Sequence, residues 1–361
     1  MGRSFMKSRS CNCFLDMKCD VFESAFFSLL FDQWKRNVFF SELEDVKRWA
    51  SRREKVIVIA GPTAVGKTAL SIALAKKLNG EIISCDSVQV YRHCDIGSAK
   101  PTVEQRKEIP HHLIDIREIE DKYDVCRFYH DAKIALRSAI CRQKIPIVVG
   151  GSSFYLHTLV NGPPQGPPSH RLLREKLQIY CEKYGVDFLY EKLRCLDPCY
   201  ANAVTSRDHH KIIRALEIIF LTGKRVSDIP QRFKERSSVE WDFHCWFIYC
   251  DKSKLYNVIE QRCDSMVEAG LIDEIVQYRD SLMKNSSLSS SIGYKHGLEY
   301  LQSERRSEDW QRFLLEFKQS TKHCAKHQFT WFRKEPSFCW LDVTYLSLKQ
   351  VEEIIMSHLE K

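Results

Sequence analysis

No apolar run in this chain approaches the length of a membrane span. The longest candidate, Ala25 to Phe31, is stopped by Asp32. There is also no CxxC pair, although the chain has 15 cysteines. Cys11, Cys13 and Cys19 cluster near the start, but no second pair stands at zinc spacing, which argues against a zinc ribbon or finger. The thiols read as reduced, small and apolar, in a reducing compartment. A strong charge imbalance is missing as well. Lys+Arg 55 against Asp+Glu 47 leaves +8, which is mild but compatible with a polyanionic partner. The early Lys and Arg hint at targeting, yet Asp16, Asp20 and Glu23 are too acidic for a transit peptide. The Met1-Gly2 start lacks Ser or Thr at the sixth position, where myristoylation requires one. Ala25 to Trp34 would suit an amphipathic helix, and residues 1–50 read as an extension of unknown role.

The stretch VIVIAGPTAVGKT, Val56 to Thr68, is the most specific feature present. Val56 to Ile59 reads as a short buried strand. Gly61 and Gly66 bracket a turn, and Lys67-Thr68 opens a run with apolar residues at helical spacing. Strand, glycine-bracketed loop and helix match G-x-x-x-x-G-K-[ST] in full. The loop Gly61, Pro62, Thr63, Ala64, Val65 and Gly66 would curl around an anion, its glycines letting backbone N–H groups turn inward. The helix start adds its positive dipole end. Lys67 supplies a point charge for phosphate oxygens, and the Thr68 hydroxyl suits Mg²⁺. The loop predicts a diphosphate or triphosphate ligand, which does not by itself make a kinase.

Strand and helix then alternate, which predicts a parallel sheet flanked by helices, the architecture of P-loop nucleotide-binding proteins. A second strand is expected at Glu81–Ser84, a third at Leu113–Ile116, a crossover helix at Tyr123–Cys141 and another strand at Ile145–Val149. Loops at strand C-terminal ends form the site in such sheets. Asp86, Ser87, Gln89 and Tyr91 therefore fall beside the phosphate loop. Asp86 would hold Mg²⁺ through water or take a proton from an attacking group; on position alone it equally suits a helix cap. Lys100 reads as a loop lysine. His111 and His112 point to opposite faces of a strand, so a shared metal is disfavoured. Gly150-Gly151 at a strand end allows a ligand close to the backbone.

At this point the residues carry a resemblance. GPTAVGKT, IISCDSVQVYR, DIGSAKPT, PHHLIDI and IPIVVGGSSFY, followed by RALEI, EAGLIDEI, SIGY and KHCAKHQFTWFRK, resemble the tRNA dimethylallyltransferase (isopentenyltransferase) family, in that order from Val56 to Lys334. The resemblance implies transfer of a dimethylallyl group from dimethylallyl diphosphate to the exocyclic amine of the adenosine just after a tRNA anticodon. Diphosphate is released. Mg²⁺ is implied as cofactor, with Lys67 and Thr68 assisting departure of the leaving group. Asp86 matches the family's general base. Ser87 and Gln89, with Val88 between them, match residues that meet the target adenine and its neighbours. Ser152 stands where the family usually has Thr. Arg262 matches an arginine that reaches the diphosphate; without the resemblance it reads equally as a surface helix residue.

GPPQGPPS is a semi-rigid linker that continues neither helix nor strand. Basic helical stretches follow from Arg171 to Arg236, and residues 163–238 are read as an inserted all-helical, tRNA-binding subdomain between core parts 51–162 and 239–361. Many bacterial members read Asp-Pro-Gln-Arg before the R-A-L-E block. This chain has Asp208-His209-His210-Lys211, which keeps the charge but loses the arginine fork. His210, Lys211 and Arg214 are the candidate RNA contacts. A return strand is expected at His244–Tyr249, a helix at Leu255–Ser281 broken at Gly270, and a basic-faced helix at Glu316–Phe332. Phe329, Trp331 and Phe332 either stack on an unpaired base or close the core. His323, Cys324 and His327 find no partner pair for a metal. Many eukaryotic relatives end in a C2H2 finger; its absence suggests the bacterial-type branch. The expected partners are tRNA and dimethylallyl diphosphate. The expected form is a monomer in the cytoplasm, with a plastid or mitochondrion as alternatives. Two other functions stay open: prenylation of free AMP, ADP or ATP, as cytokinin-making relatives do, and a small-molecule kinase.

Overall fold

The computed structural model describes residues 53–163, 166–229 and 240–359. The expected helix at Ala25–Trp34, the first three cysteines and the last residues of the basic insertion lie outside that set.

Six parallel strands form one sheet in the order β3-β2-β4-β1-β5-β6. They are β1 (Glu54–Ala60), β2 (Gly80–Cys85), β3 (His111–His112), β4 (Ile145–Gly150), β5 (Trp241–Tyr249) and β6 (Phe338–Asp342). Central β1 shows why a continuous apolar run suits a sheet covered on both faces. Val56, Val58 and Ala60 join the core on one side, whereas Ile57 and Ile59 join the core on the other. All five are fully buried.

Helices cover both faces. On one side α1 (Lys67–Leu78) and α15 (Leu348–Leu359) bring Leu70, Leu74, Val351 and Ile355 against Ile57 and Ile59. The other side is covered by α3 (Val125–Cys141), α4 (Ser153–Asn161), α9 (Lys252–Glu268), α10 (Leu271–Gln277), α13 (Tyr294–Gln302) and the 26-residue α14 (Ser307–Phe332). Three short helices, α2 (Val103–Glu108), α11 (Arg279–Lys284) and α12 (Ser286–Ser289), sit in the connections. Between β4 and β5 the chain forms α5 (Arg171–Tyr184), α6 (Val186–Leu196), α7 (Pro198–Ala203) and α8 (His209–Thr222). These have a separate small core built on Leu177, Leu189, Leu193, Ile212 and Leu216.

Three local expectations change. The third strand is the His111–His112 pair rather than Leu113–Ile116, because Leu113 and Asp115 adopt left-handed backbone angles of 62° and 57°. Asp115 bends inward to hold Lys100 and Arg106. Lys100 is therefore not a loop-surface lysine; its side chain is 2% exposed. The helix expected over Leu255–Ser281 breaks at Tyr278 as well as at Gly270. β6 and α15 add to the elements expected from the sequence. Among the described residues no helix is long and apolar enough to cross a membrane, and the 12 described cysteines are all free.

Candidate active site

The loop from Gly61 to Thr68 leaves the C-terminal end of β1 and turns into α1. Two glycines are required there for different reasons. A Cβ at Gly61 would lie 2.4 Å from the Ile248 carbonyl oxygen of β5. Gly66 instead has room, but its φ of 96° is in the left-handed region that side chains rarely enter. Lys67 folds back over the loop and donates to the carbonyls of Gly61 at 3.0 Å and Pro62 at 2.7 Å. Burial, and then Arg262 nearby, hold its ammonium down to about 7, while Asp86 acts in the opposite sense.

A cavity of about 420 Å³ opens on this loop, lined by Gly66, Lys67, Thr68, Asp86 and Arg262. A second of about 880 Å³ adjoins it, lined by Ser87, Val88, Ser152, Phe154, Met266 and Trp331 among others. Asp86, Arg262 and Gln328 line both. These residues thus mark the junction between the chamber at the phosphate loop and a larger one. The two candidate roles of Asp86 prove to be compatible. Its Oδ1 accepts from the N–H of Val88 at 2.8 Å and of Gln89 at 3.3 Å, which caps the turn after β2. That bonding also fixes the carboxylate at the junction. Arg262, on α9, is half-buried, and among the described residues no hydrogen bond or ion pair engages it. A half-buried guanidinium with no hydrogen bond or ion pair, near Lys67 and facing the attraction of Asp86, is a site for an anion.

Gln89 is committed to the protein itself. Its amide carbonyl accepts from the Ser84 hydroxyl at 2.9 Å, and its amide N–H group reaches the carbonyls of Ser98 and Ala99 at 3.3 and 3.4 Å. Ser152 begins α4, but its hydroxyl caps no backbone amide. His210, Lys211 and Arg214 line neither cavity. The His210 ring lies tilted against that of His209 at 4.0 Å, and exposed Lys211 pairs with Asp208 at 2.9 Å. Arg214 is engaged within the protein. Its guanidinium is taken up by buried Glu217 and by the Pro167 carbonyl, where it holds the linker onto α8.

The basic face expected on α14 is also reduced. Lys318 pairs with Asp264 at 2.6 Å and Lys322 with Glu260, both on α9, so these lysines join two helices. Two of the three aromatics close the core. Phe329 and Phe332 pack around Phe247, whereas Trp331 stays 40% exposed on the rim of the larger cavity, 6.2 Å from the Phe154 ring. The adjacent histidines do not share a ligand, and only His111 lines the smaller cavity. His111 meets the Ile109 carbonyl and His112 the Glu81 carboxylate, each at 2.7 Å. Sequence reasoning missed Gln328. Its Oε1 accepts from the Thr63 N–H at 3.0 Å while its Nε2 donates to the Gly151 carbonyl at 2.9 Å, so one α14 side chain ties the phosphate loop to the end of β4. Its only signal was its place inside the KHCAKHQFTWFRK string.

The IPP transferase family model matches residues 89–335. A tRNA dimethylallyltransferase of Protochlamydia amoebophila is 46% identical, covering 92% of this chain and 98% of that one. The tRNA dimethylallyltransferase of Chlamydia pneumoniae is 40% identical over 84% of this chain and 89% of its own length. Among solved structures, the full-length tRNA isopentenylpyrophosphate transferase of Bacillus halodurans aligns with a TM-score of 0.62 at 34% identity, covering 85% of this chain and 97% of that one. A eukaryotic dimethylallyltransferase acting on tRNA aligns at 0.68 and 31% identity, over 84% of this chain and 77% of its own. With the matching model spanning well over half of its length, this chain belongs to the IPP transferase family.

Proposed function

We propose that this chain transfers a dimethylallyl group from dimethylallyl diphosphate to the N6 amine of the adenosine that follows a tRNA anticodon, and releases diphosphate. The observation that carries the reading is the junction. A chamber with Lys67, Thr68 and an unpartnered Arg262 meets a larger cavity at the Asp86 carboxylate. The diphosphate end of the donor fits the first chamber, and the adenine fits the second. The amine nitrogen attacks the allylic carbon, the carbon–oxygen bond to diphosphate breaks, and the amine proton passes to Asp86. Lys67, Arg262 and the loop amides take up the charge that develops on the leaving group.

The donor set here fits Mg²⁺. Among the described residues no group of three or more His, Cys, Asp or Glu side chains could cage a metal. The Thr68 hydroxyl and the Asp86 carboxylate nevertheless line one chamber. Mg²⁺ typically takes few protein oxygens and completes its shell with water and substrate phosphates. Thr68 would hold it directly and Asp86 through water, and the bound ion would neutralise diphosphate charge.

Labelled dimethylallyl diphosphate offered with Mg²⁺ and either unmodified tRNA or AMP tests the assignment. Label in tRNA alone supports it. Label in AMP reassigns the acceptor to a free nucleotide. Consumption of ATP to ADP without label in either acceptor returns the loop to a kinase.

A further inference from the structure

Three sequence blocks that the reaction above does not use, DIGSAKPT, EAGLIDEI and SIGY, meet at one carboxylate. Glu274, on α10, is 9% exposed. Its Oε2 accepts from the N–H groups of Asp95 and Ile96, each at 2.8 Å, and its Oε1 accepts from the N–H of Gly97 at 3.0 Å. A fourth bond comes from the hydroxyl of fully buried Tyr294 at 2.7 Å. Three successive amides converging on one anion form a nest of the kind that elsewhere binds phosphate. Here the protein fills it with its own side chain. The fit is tight: a Cβ at Gly97 would come within 2.5 Å of the Tyr294 ring.

The segment so held goes on to build the site. Gly97 and Ser98 line the larger cavity, and Ser98 with Ala99 also lines the smaller one. The Ser98 and Ala99 carbonyls hold the Gln89 side chain, and the Gln89 backbone N–H is bonded to Asp86. On its other flank the segment is pinned by Lys100, which donates to the Tyr91 carbonyl at 2.6 Å and pairs with Asp95 and Asp115 at 2.7 and 2.6 Å. The phosphate loop takes no part in this chain of contacts.

We propose that Glu274 is a positioning residue for transfer. Anchored by Tyr294, its carboxylate holds the Asp95–Gly97 amides and thereby sets the acceptor wall and the Gln89 turn that carries Asp86. The inference rests on the prenyl-transfer reading of the cavity. The segment borders both chambers, but Lys67, Arg262 and the loop amides that would hold the anion lie outside the clamp, so its loss harms use of the acceptor far more than capture of diphosphate.

The test uses the full chain with Glu274→Gln and the milder Tyr294→Phe. A glutamine keeps the size but turns an N–H group toward amides that already donate. Glu274→Gln is expected to lower kcat/KM for tRNA about 100-fold and Tyr294→Phe about 5-fold, the larger part in kcat. The dissociation constant for inorganic diphosphate with Mg²⁺ stays within twofold for both. Hydrogen exchange gives a readout independent of activity: the amides of Asp95, Ile96 and Gly97 lose protection while those of Gly61 to Thr68 keep theirs. Equal loss of diphosphate binding, or unchanged exchange at the three amides, overturns the proposal. If wild-type protein puts no label into tRNA while the three amides still lose protection in Glu274→Gln, the prenyl-transfer reading has failed rather than the clamp. Should Glu274→Gln not fold, Tyr294→Phe decides, since a kcat/KM equal to that of wild type removes the positioning role.

Discussion

Gln328 and Thr63 are 265 residues apart in sequence, yet the side-chain carbonyl of one accepts the backbone N–H of the other at 3.0 Å. The phosphate loop therefore does not set its own shape. One of its amides is held from α14, and the same glutamine reaches across to Gly151. Removing the tether leaves a part-buried N–H without its acceptor and frees the loop to open. Gln328→Ala is expected to weaken diphosphate binding about tenfold and to cost about 1–2 kcal/mol of stability. Titration calorimetry with diphosphate, together with a denaturant melt, checks both. Binding equal to wild type would show that the loop is rigid without α14.

Lys67 gives a pH prediction with a definite sign. Without an anion its ammonium is held down to about 7, first by burial and then by Arg262. A bound diphosphate favours the charged form and moves the pKa up. Above pH 7, binding must therefore add a proton to Lys67, drawn from solution or from the diphosphate itself, and this part of the affinity falls as pH rises from there. Calorimetry at pH 8 in buffers of different ionisation enthalpy should show a proton count on binding that is more positive for wild type than for Lys67→Met, which also loses most of the affinity. Equal proton counts in the two proteins would contradict the depressed value.

Much of this site was legible, and the illegible parts share a cause. The loop from Gly61 to Thr68 and the strands around it are written locally, in glycine spacing and apolar runs. Asp86 follows from standing at a strand end. The Leu113–Ile116 expectation failed because apolar pattern does not report that Leu113 and Asp115 turn left-handed to serve a buried Lys100. Tyr278 breaks a helix without being glycine or proline. Gln328, Glu274 and Arg214 are polar residues on helices, where local pattern says only that they are soluble. The backbone groups they hold lie 265, about 180 and 47 residues away in sequence, so only the folded chain shows those contacts.

Asp86 separates chemistry from binding. Asp86→Asn keeps a side-chain oxygen to accept from Val88, so the turn survives, but the proton acceptor is gone. Transfer to tRNA should fall about 10²- to 10⁴-fold, the range for loss of a general base, while diphosphate binding changes less than threefold. Single-turnover label transfer set against equilibrium binding separates the two quantities. Weak binding with normal transfer from the complex that does form would remove Asp86 from the proton-transfer step.

Glu217 supplies the corresponding test for the helical segment. It is fully buried on α8 and accepts from the His170 N–H at 2.6 Å, from Arg174 at 2.9 Å and from Arg214. One carboxylate therefore ties the linker, the start of α5 and α8 together. Truncation strands two guanidinium groups, of which Arg214 is about two-thirds covered. Breaking a buried pair from one side typically costs about 3–5 kcal/mol, and partial exposure of both arginines puts the expected loss near the lower end. Glu217→Ala should therefore melt residues 166–222 early by hydrogen exchange. The sheet, with its cores on both faces, should hold its protection, and diphosphate binding should be unchanged. Affinity for tRNA should drop if these helices grip it, and filter binding measures that. Intact tRNA affinity with the segment unfolded would place the RNA contacts on the α14 rim, beside Trp331, instead.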